Sequence, residues 1–472
     1  MTCKRPRFWR TSLFYFASTL LSKLAVFLLL PLYTAKIPVS DMGFFDTATA
    51  LAILLAATLF LDVGIGVMRF YLAEDDCAKQ REIFAAGLLQ LGLSLLLYVV
   101  LGLVLVKAFA VPHGTLVVLY GASNALFSAA GYFARAKGQS LFYAVLSLVA
   151  TLLQVGLNLY LLLVLSMGYE ALYISFAIGT LVSAFLMLLR AGAFSALGAL
   201  RRCRKAFLVL LRFSLPLGGS AAAFLVLTSG ARVLTTLCLG TAAGGVVAVA
   251  IKLSQVAFVV GAVLRFAWQE VCFAKGASEN GEEEGSFYGA RISWLLRTVL
   301  VAALLFTPLL RVWLWLFPSF IAPSYFEATR LLPVVLLGAL LSVVSDFLEP
   351  TLAVLKKTGL ILMTCVLGAV LSVVTTLLAF AAGLGTWGAA VGFCVGFFAT
   401  AASRLWLLSR LMHVRLRDRA LLLLPFTALP VVVYLCLPPL YSLLLLLPLL
   451  PLCIYLLWPF LNLLKTRKGT AI

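Results

Sequence analysis

Apolar runs of about 20 or more residues recur along the whole chain, and they constrain its fold more than any other feature. A helix of that length crosses the ~30 Å of hydrocarbon in a bilayer. The spacing predicts about fourteen spans, at 12–35, 44–70, 83–107, 114–134, 141–165, 171–190, 207–239, 246–270, 293–317, 327–355, 360–382, 386–408, 420–438 and 441–462. No stretch between them is long enough to build a soluble core. Lipid offers no partners to backbone N–H and C=O groups, so each span must be a helix or a strand of a closed barrel. Barrel strands alternate apolar and polar residues, and runs such as Leu421–Leu424 and Leu443–Leu447 do not. The expected class is therefore all-α: a polytopic membrane protein of about 14 transmembrane helices, arranged as two six-helix lobes plus two C-terminal helices.

Composition agrees. Hydrophobic residues make up 64% and charged residues 11%, against roughly 25% charged in soluble domains. The net charge of +19 suits basic loops on the cytoplasmic side better than nucleic-acid binding. The nine cysteines are scattered without a CxxC, and His113 and His413 are far apart. Neither a disulfide framework nor a metal site is expected. Lys4, Arg5, Arg7 and Arg10 precede the first apolar run. That run is too long for a signal-peptide core and shows no clear small-residue cleavage site, so it is expected to be retained as the first span.

Loop charge sets the expected orientation. With the N-terminus inside, the inner segments hold 24 basic residues, while the outer loops clearly hold only Lys36 and Lys107. This asymmetry predicts that both termini are cytoplasmic, in the cytoplasmic (inner) membrane. The basic segment 191–206 falls midway through the first twelve spans. It suggests an N-terminal lobe over 1–195, a C-terminal lobe over 196–410 and an additional pair with a cytoplasmic tail over 411–472. The acidic, glycine-containing segment 272–291 is expected to be a solvated loop.

Ionisable residues inside spans cost about 2.5 kcal/mol or more each at the bilayer centre, so they are the functional candidates. The cations are Lys23, Arg232, Lys252 and Arg265. The acids are Asp46, Asp62, Asp346 and Glu349, with Arg69 and Glu270 near span ends. Asp62 and Arg69 are seven apart, hence on one face of a continuous helix, which suggests that they join a structural ion pair. Two readings stand for the four cations. Each pairs with an acid and fixes helix packing, or together they line a cavity that attracts an anion, with Arg bidentate and Lys a point charge. Pro216, Gly218 and Gly219 interrupt the start of span seven, either as a kink or as a close-packing surface.

Several stretches carry a family resemblance. LLPLYTAKIPVSDMGFFDTATALAILLAATLFLDVGIGVMRF closes the region Ser12–Phe70, and YFARAKGQSLFYAVLSLVATLLQVGLNLYLLL spans 132–163. With Ser229–Trp268, they resemble polysaccharide transporters of the O-antigen flippase type. These belong to the multidrug/oligosaccharide-lipid/polysaccharide (MOP) flippase superfamily, which also holds the lipid II flippases. The sequence departs where Ala231 stands in place of the Asp that often precedes the Arg, and where Val246–Val247 stand in place of an aromatic. The resemblance implies a membrane transporter that flips an undecaprenyl-diphosphate-linked oligosaccharide by alternating access, in lipopolysaccharide or other polysaccharide biosynthesis. It implies no enzyme activity and no cofactor. Lys23, Arg232, Lys252 and Arg265 would hold the diphosphate, while Asp62, Arg69, Asp346 and Glu349 would serve ion pairing or coupling. Expected partners are the lipid-linked substrate, membrane lipids and a polysaccharide polymerase or ligase, with no nucleic acid. The alternatives are a multidrug exporter of the same superfamily, a membrane polymerase or ligase, and a non-transporting scaffold. The short outer loops argue against the enzyme.

Overall fold

The structure, a computed structural model, describes residues 28–275, 281–354, 358–412 and 428–466. These residues are almost entirely helical, because an apolar chain can satisfy its backbone in lipid only within its own helices. In chain order the helices are α1 (Leu30–Lys36), α2 (Val39–Phe60), α3 (Val63–Ala73), α4 (Cys77–Ala108), α5 (Gly114–Ala136), α6 (Ser140–Leu159), α7 (Glu170–Arg190) and a short α8 (Ala193–Ala196). There follow α9 (Arg204–Leu239), α10 (Thr241–Lys275), α11 (Gly281–Leu316), α12 (Phe326–Val354), α13 (Thr358–Ala381), α14 (Thr386–Leu411), α15 (Ala428–Cys436) and α16 (Pro439–Thr466). Among the described residues, ten helices are long and apolar enough to cross a membrane. The chain is thus a multi-pass membrane protein. Most of the expected first span, 12–35, lies outside the described residues.

The chain divides into two compact units, Met1–Gly245 and Val246–Ile472. In the first unit α5 packs on α7 and α6 on α7, while α9 packs on α2, α3 and α4. Helix α9 is thereby part of this unit, and the division falls just inside α10. Phe60, Val63, Val67, Phe84, Phe133 and Leu210 form its core. The segment after α7 is held against it: Ala193, Ala196 and Cys203 are buried in that core, and burial pushes the Cys203 thiol above its ordinary range.

Span two is not continuous. Leu61 and Asp62 separate α2 from α3 with φ of 55° and 48°. Left-handed backbone costs an L-residue of order 1–3 kcal/mol, and neither position is a glycine. Gly218 of α9 faces this break, where a Cβ would lie 2.9 Å from the Leu61 Cα. Of the two readings of the Pro216–Gly219 stretch, the close approach is what Gly218 serves.

In the second unit α13 packs on α14, α12 on α14, and α11 on α12 and α16. Trp268 stacks on Phe347 at 4.7 Å and donates its Nε1–H to Thr351 Oγ1 at 3.0 Å. The α13–α14 seam is built from small residues. A Cβ on Gly368 would collide with Thr400 Oγ1, and one on Gly392 with Thr376 Oγ1. Leucine faces such as Leu367, Leu378, Leu96 and Leu97 point outward instead, as expected where the solvent is itself apolar. Gly392→Val should force α13 and α14 apart and cost about 1–3 kcal/mol. A lowered unfolding temperature of the detergent-purified protein would register it, whereas an unchanged temperature would mean the seam is not tightly packed.

Candidate functional site

The deepest charge contact in the first unit joins α9 to α2. Arg232 Nη1 donates to Asp46 Oδ2 at 2.7 Å, and Nη2 donates to Ser229 Oγ at 2.7 Å. The two side chains are only 17% and 9% exposed. Ala231 removes the neighbouring acid that the resemblance leads one to expect, and Asp46, 186 residues away in sequence, supplies the carboxylate instead. One turn along, Thr47 Oγ1 donates to Thr236 Oγ1 at 2.6 Å. The Arg232 Nε remains buried without a hydrogen-bond partner, so the guanidinium keeps donor capacity.

An aromatic wall stands beside this pair. Phe45 packs on Tyr173 at 4.8 Å and on Tyr120 at 6.2 Å, while Tyr120 stacks on Phe176 at 4.2 Å. Tyr120 lies within electrostatic reach of both Asp46 and Arg232. Asn158 Nδ2 donates to Tyr33 Oη at 2.9 Å, and Asn158 Oδ1 accepts from Ser175 Oγ at 2.6 Å. Further along, His113 Nε2 sits 2.9 Å from Glu170 Oε1.

A second site of this unit forms at the break in span two. A cavity of ≈ 280 Å³ is lined by Phe60, Asp62, Asn124, Ser128, Tyr132 and Phe224, among others. Asp62 and Arg69 do not meet. The break takes Asp62 off the helical face that seven-residue spacing assumes. The Arg69 guanidinium stacks over Phe213 at 4.7 Å, and among the described residues no cation pairs with Asp62.

In the second unit the focus is Arg404 on α14, which sequence reasoning missed. It is 1% exposed. Its Nη1 donates to Ser345 O at 2.7 Å and to Glu349 Oε2 at 3.4 Å, its Nε to Thr364 Oγ1 at 3.2 Å, and its Nη2 to Cys365 Sγ at 3.2 Å. Asp346 lies in the same neighbourhood. The acids Asp346 and Glu349 thus gather around an arginine that the sequence pattern does not single out. Lys252 is partly buried on α10. Lys23 lies outside the described residues, as do the side chains of Arg265 and Glu270. Among the described residues, no group of three or more His, Cys, Asp or Glu side chains comes together to hold a metal.

No protein-family model and no curated protein matches the sequence. Solved structures do. Lipid II flippase MurJ, in an inward closed conformation, superposes with a TM-score of 0.67 at 12% identity, over 97% of this chain and 99% of that one. The chain has the fold of the MOP superfamily of transporters. An inward-facing multidrug resistance MATE family transporter of that superfamily has a TM-score of 0.59 at 16% identity, over 84% of this chain and 95% of its own. A MOP superfamily transporter from Pyrococcus furiosus has 0.57 at 15%, over 85% and 93%. The fold is thus shared with a lipid II flippase and with MOP superfamily transporters.

Asp46→Asn should leave Arg232 buried without its counter-charge and cost about 3–5 kcal/mol. The double variant Asp46→Asn with Arg232→Gln should regain most of that. Thermal unfolding of all three proteins in one detergent tests this, and additive losses would mean the pair is not coupled.

Proposed function

We propose that the chain flips an undecaprenyl-diphosphate-linked oligosaccharide across the cytoplasmic membrane, with both termini in the cytoplasm. The observation that carries this is Arg232, a largely buried guanidinium held by Asp46 with donor capacity left over, beside an aromatic wall of Phe45, Tyr120, Tyr173 and Phe176. A diphosphate is bound best by guanidinium forks and ammonium point charges, and sugars want hydroxyls and aromatic faces. Lys23, Arg232, Lys252 and Arg265 would hold the diphosphate, and alternating access would carry it between leaflets. Asp62, Asp346 and Glu349 would serve coupling or ion pairing. The extent of the fold likeness supports a flippase. The lipid II flippase matches over 97% of the chain, while the MATE transporters match over 84–86%.

One observation favours export of a cationic small molecule instead. Asp62 lines a cavity and has no cationic partner among the described residues. The two readings separate in cells. Arg232→Ala, Lys23→Ala and Arg265→Ala should each abolish complementation of a flippase-deficient strain while the protein stays in the membrane, with Arg232→Lys partly active. Normal surface-polysaccharide export in all three alanine variants would overturn the flippase reading. Drug sensitivity that follows Asp62→Asn alone would replace it with the exporter.

Orientation is tested with single-cysteine variants retaining either Cys77 or Cys238, both exposed. An impermeant maleimide added to intact cells should label Cys238 and spare Cys77. The opposite pattern would invert the topology.

A further inference from the structure

A second cavity lies in the other unit, away from every residue assigned above. It has ≈ 210 Å³ and is lined by Arg311, Trp315, Ile321, Phe326, Thr329 and Pro439, with Leu314 and Pro318. Of these residues Arg311 alone is charged. It stands five residues before the end of α11, about 8 Å along the axis, near one end of a helix long and apolar enough to cross a membrane. The guanidinium is held in place: it stacks over the Tyr434 ring at 4.7 Å, and the Tyr434 hydroxyl donates to Thr329 O at 2.8 Å. Its Nε is buried without a hydrogen-bond partner. No carboxylate among the described residues pairs with it. The nearest acid in sequence on α12, Glu327, is engaged by Thr386 Oγ1 at 2.9 Å.

An arginine at this depth is costly unless something anionic meets it. Apart from Thr329, whose hydroxyl donates to Phe326 O at 2.7 Å, the rest of the cavity is apolar or aromatic, and its rim exposes Trp315 (51%) and Phe326 (56%), with Phe317 (56%) beside them. Such residues sit at membrane–water interfaces with one side in lipid. A lipid phosphate, with its glycerol and upper acyl chains, matches that combination of one cation and an apolar rim. We propose that this cavity binds the phosphate of an anionic phospholipid. In the orientation proposed above that lipid belongs to the outer leaflet and ties α11, α12 and the start of α16 together. The ligand is a resident lipid, distinct from the transported substrate.

Native mass spectrometry of the full-length protein, delipidated and titrated with phosphatidylglycerol, reads the occupancy. Wild type should bind one phosphatidylglycerol about tenfold more tightly than Arg311→Ala does, with Arg311→Lys in between. It should hold diacylglycerol, which lacks the phosphate, at least tenfold more weakly, and inorganic phosphate should not displace the lipid. Phe326→Glu, which places an anion at the exposed rim, should weaken phosphatidylglycerol about tenfold, and Phe326→Gln should not. If Arg311→Ala fails to fold, the Phe326 pair decides. Equal retention by wild type and Arg311→Ala, equal behaviour of Phe326→Glu and Phe326→Gln, or equal binding of diacylglycerol would each overturn the proposal. Displacement by inorganic phosphate would identify a free-anion site and overturn it as well. Loss of this lipid with complementation intact leaves the transport reading standing, so the two fail separately.

Discussion

A charge placed in hydrocarbon must be answered by another group of the protein, and the polar architecture follows from that requirement. Arg232 is answered by Asp46 and Ser229, and Arg404 by Ser345, Glu349, Thr364 and Cys365. Each arginine joins helices distant in sequence. Each is therefore a point at which packing is specified by polar contacts rather than by apolar area, which cannot discriminate between partners when the solvent is also apolar.

The same accounting governs the backbone. A helix broken inside a membrane leaves N–H and C=O groups without their usual partners, and this is tolerated only where the break is buried or lines a cavity. The break at Leu61–Asp62 meets both conditions. Gly218 closes on it from one side, and the Asp62 cavity opens beside it. Strain of this kind persists when the surroundings over-determine it, and such positions cluster at functional sites.

How much of this was legible in the sequence follows from which signals are local. Span length is local, so the all-helical membrane class and most of the helices could be read directly. Loop charge is local too, and it supplies the expected orientation. Partner choice is not: nothing near Arg232 points to Asp46, and nothing near Tyr33 points to Asn158. The break in span two escaped because no proline or glycine stands at Leu61–Asp62, although Gly64 and Gly66 follow closely. Spacing therefore placed Asp62 and Arg69 on one face that does not exist. Arg404 and Arg311 stand inside long apolar runs much as Arg265 does, and what marks them out, the groups they meet on other helices, is not written near them in the sequence.

The small-residue seam of the second unit has a consequence for registration. Gly368 of α13 receives Thr400 of α14, and Gly392 of α14 receives Thr376 of α13. The two contacts are reciprocal, each displaced by eight residues on antiparallel helices, so they report the same alignment twice. Arg404 lies four residues beyond Thr400, and its partner Thr364 lies four residues before Gly368. The guanidinium contact is thus a third tooth on the same ratchet. A slip of one turn, 5.4 Å, would set Thr400 against Thr364 or Ser372 in place of Gly368 and strand the Arg404 cation, although Thr376 would still meet a glycine, Gly388 or Gly396. The α13–α14 hairpin is in this sense a self-checking ruler: it can assemble in one alignment, and that alignment delivers the arginine to its acceptors.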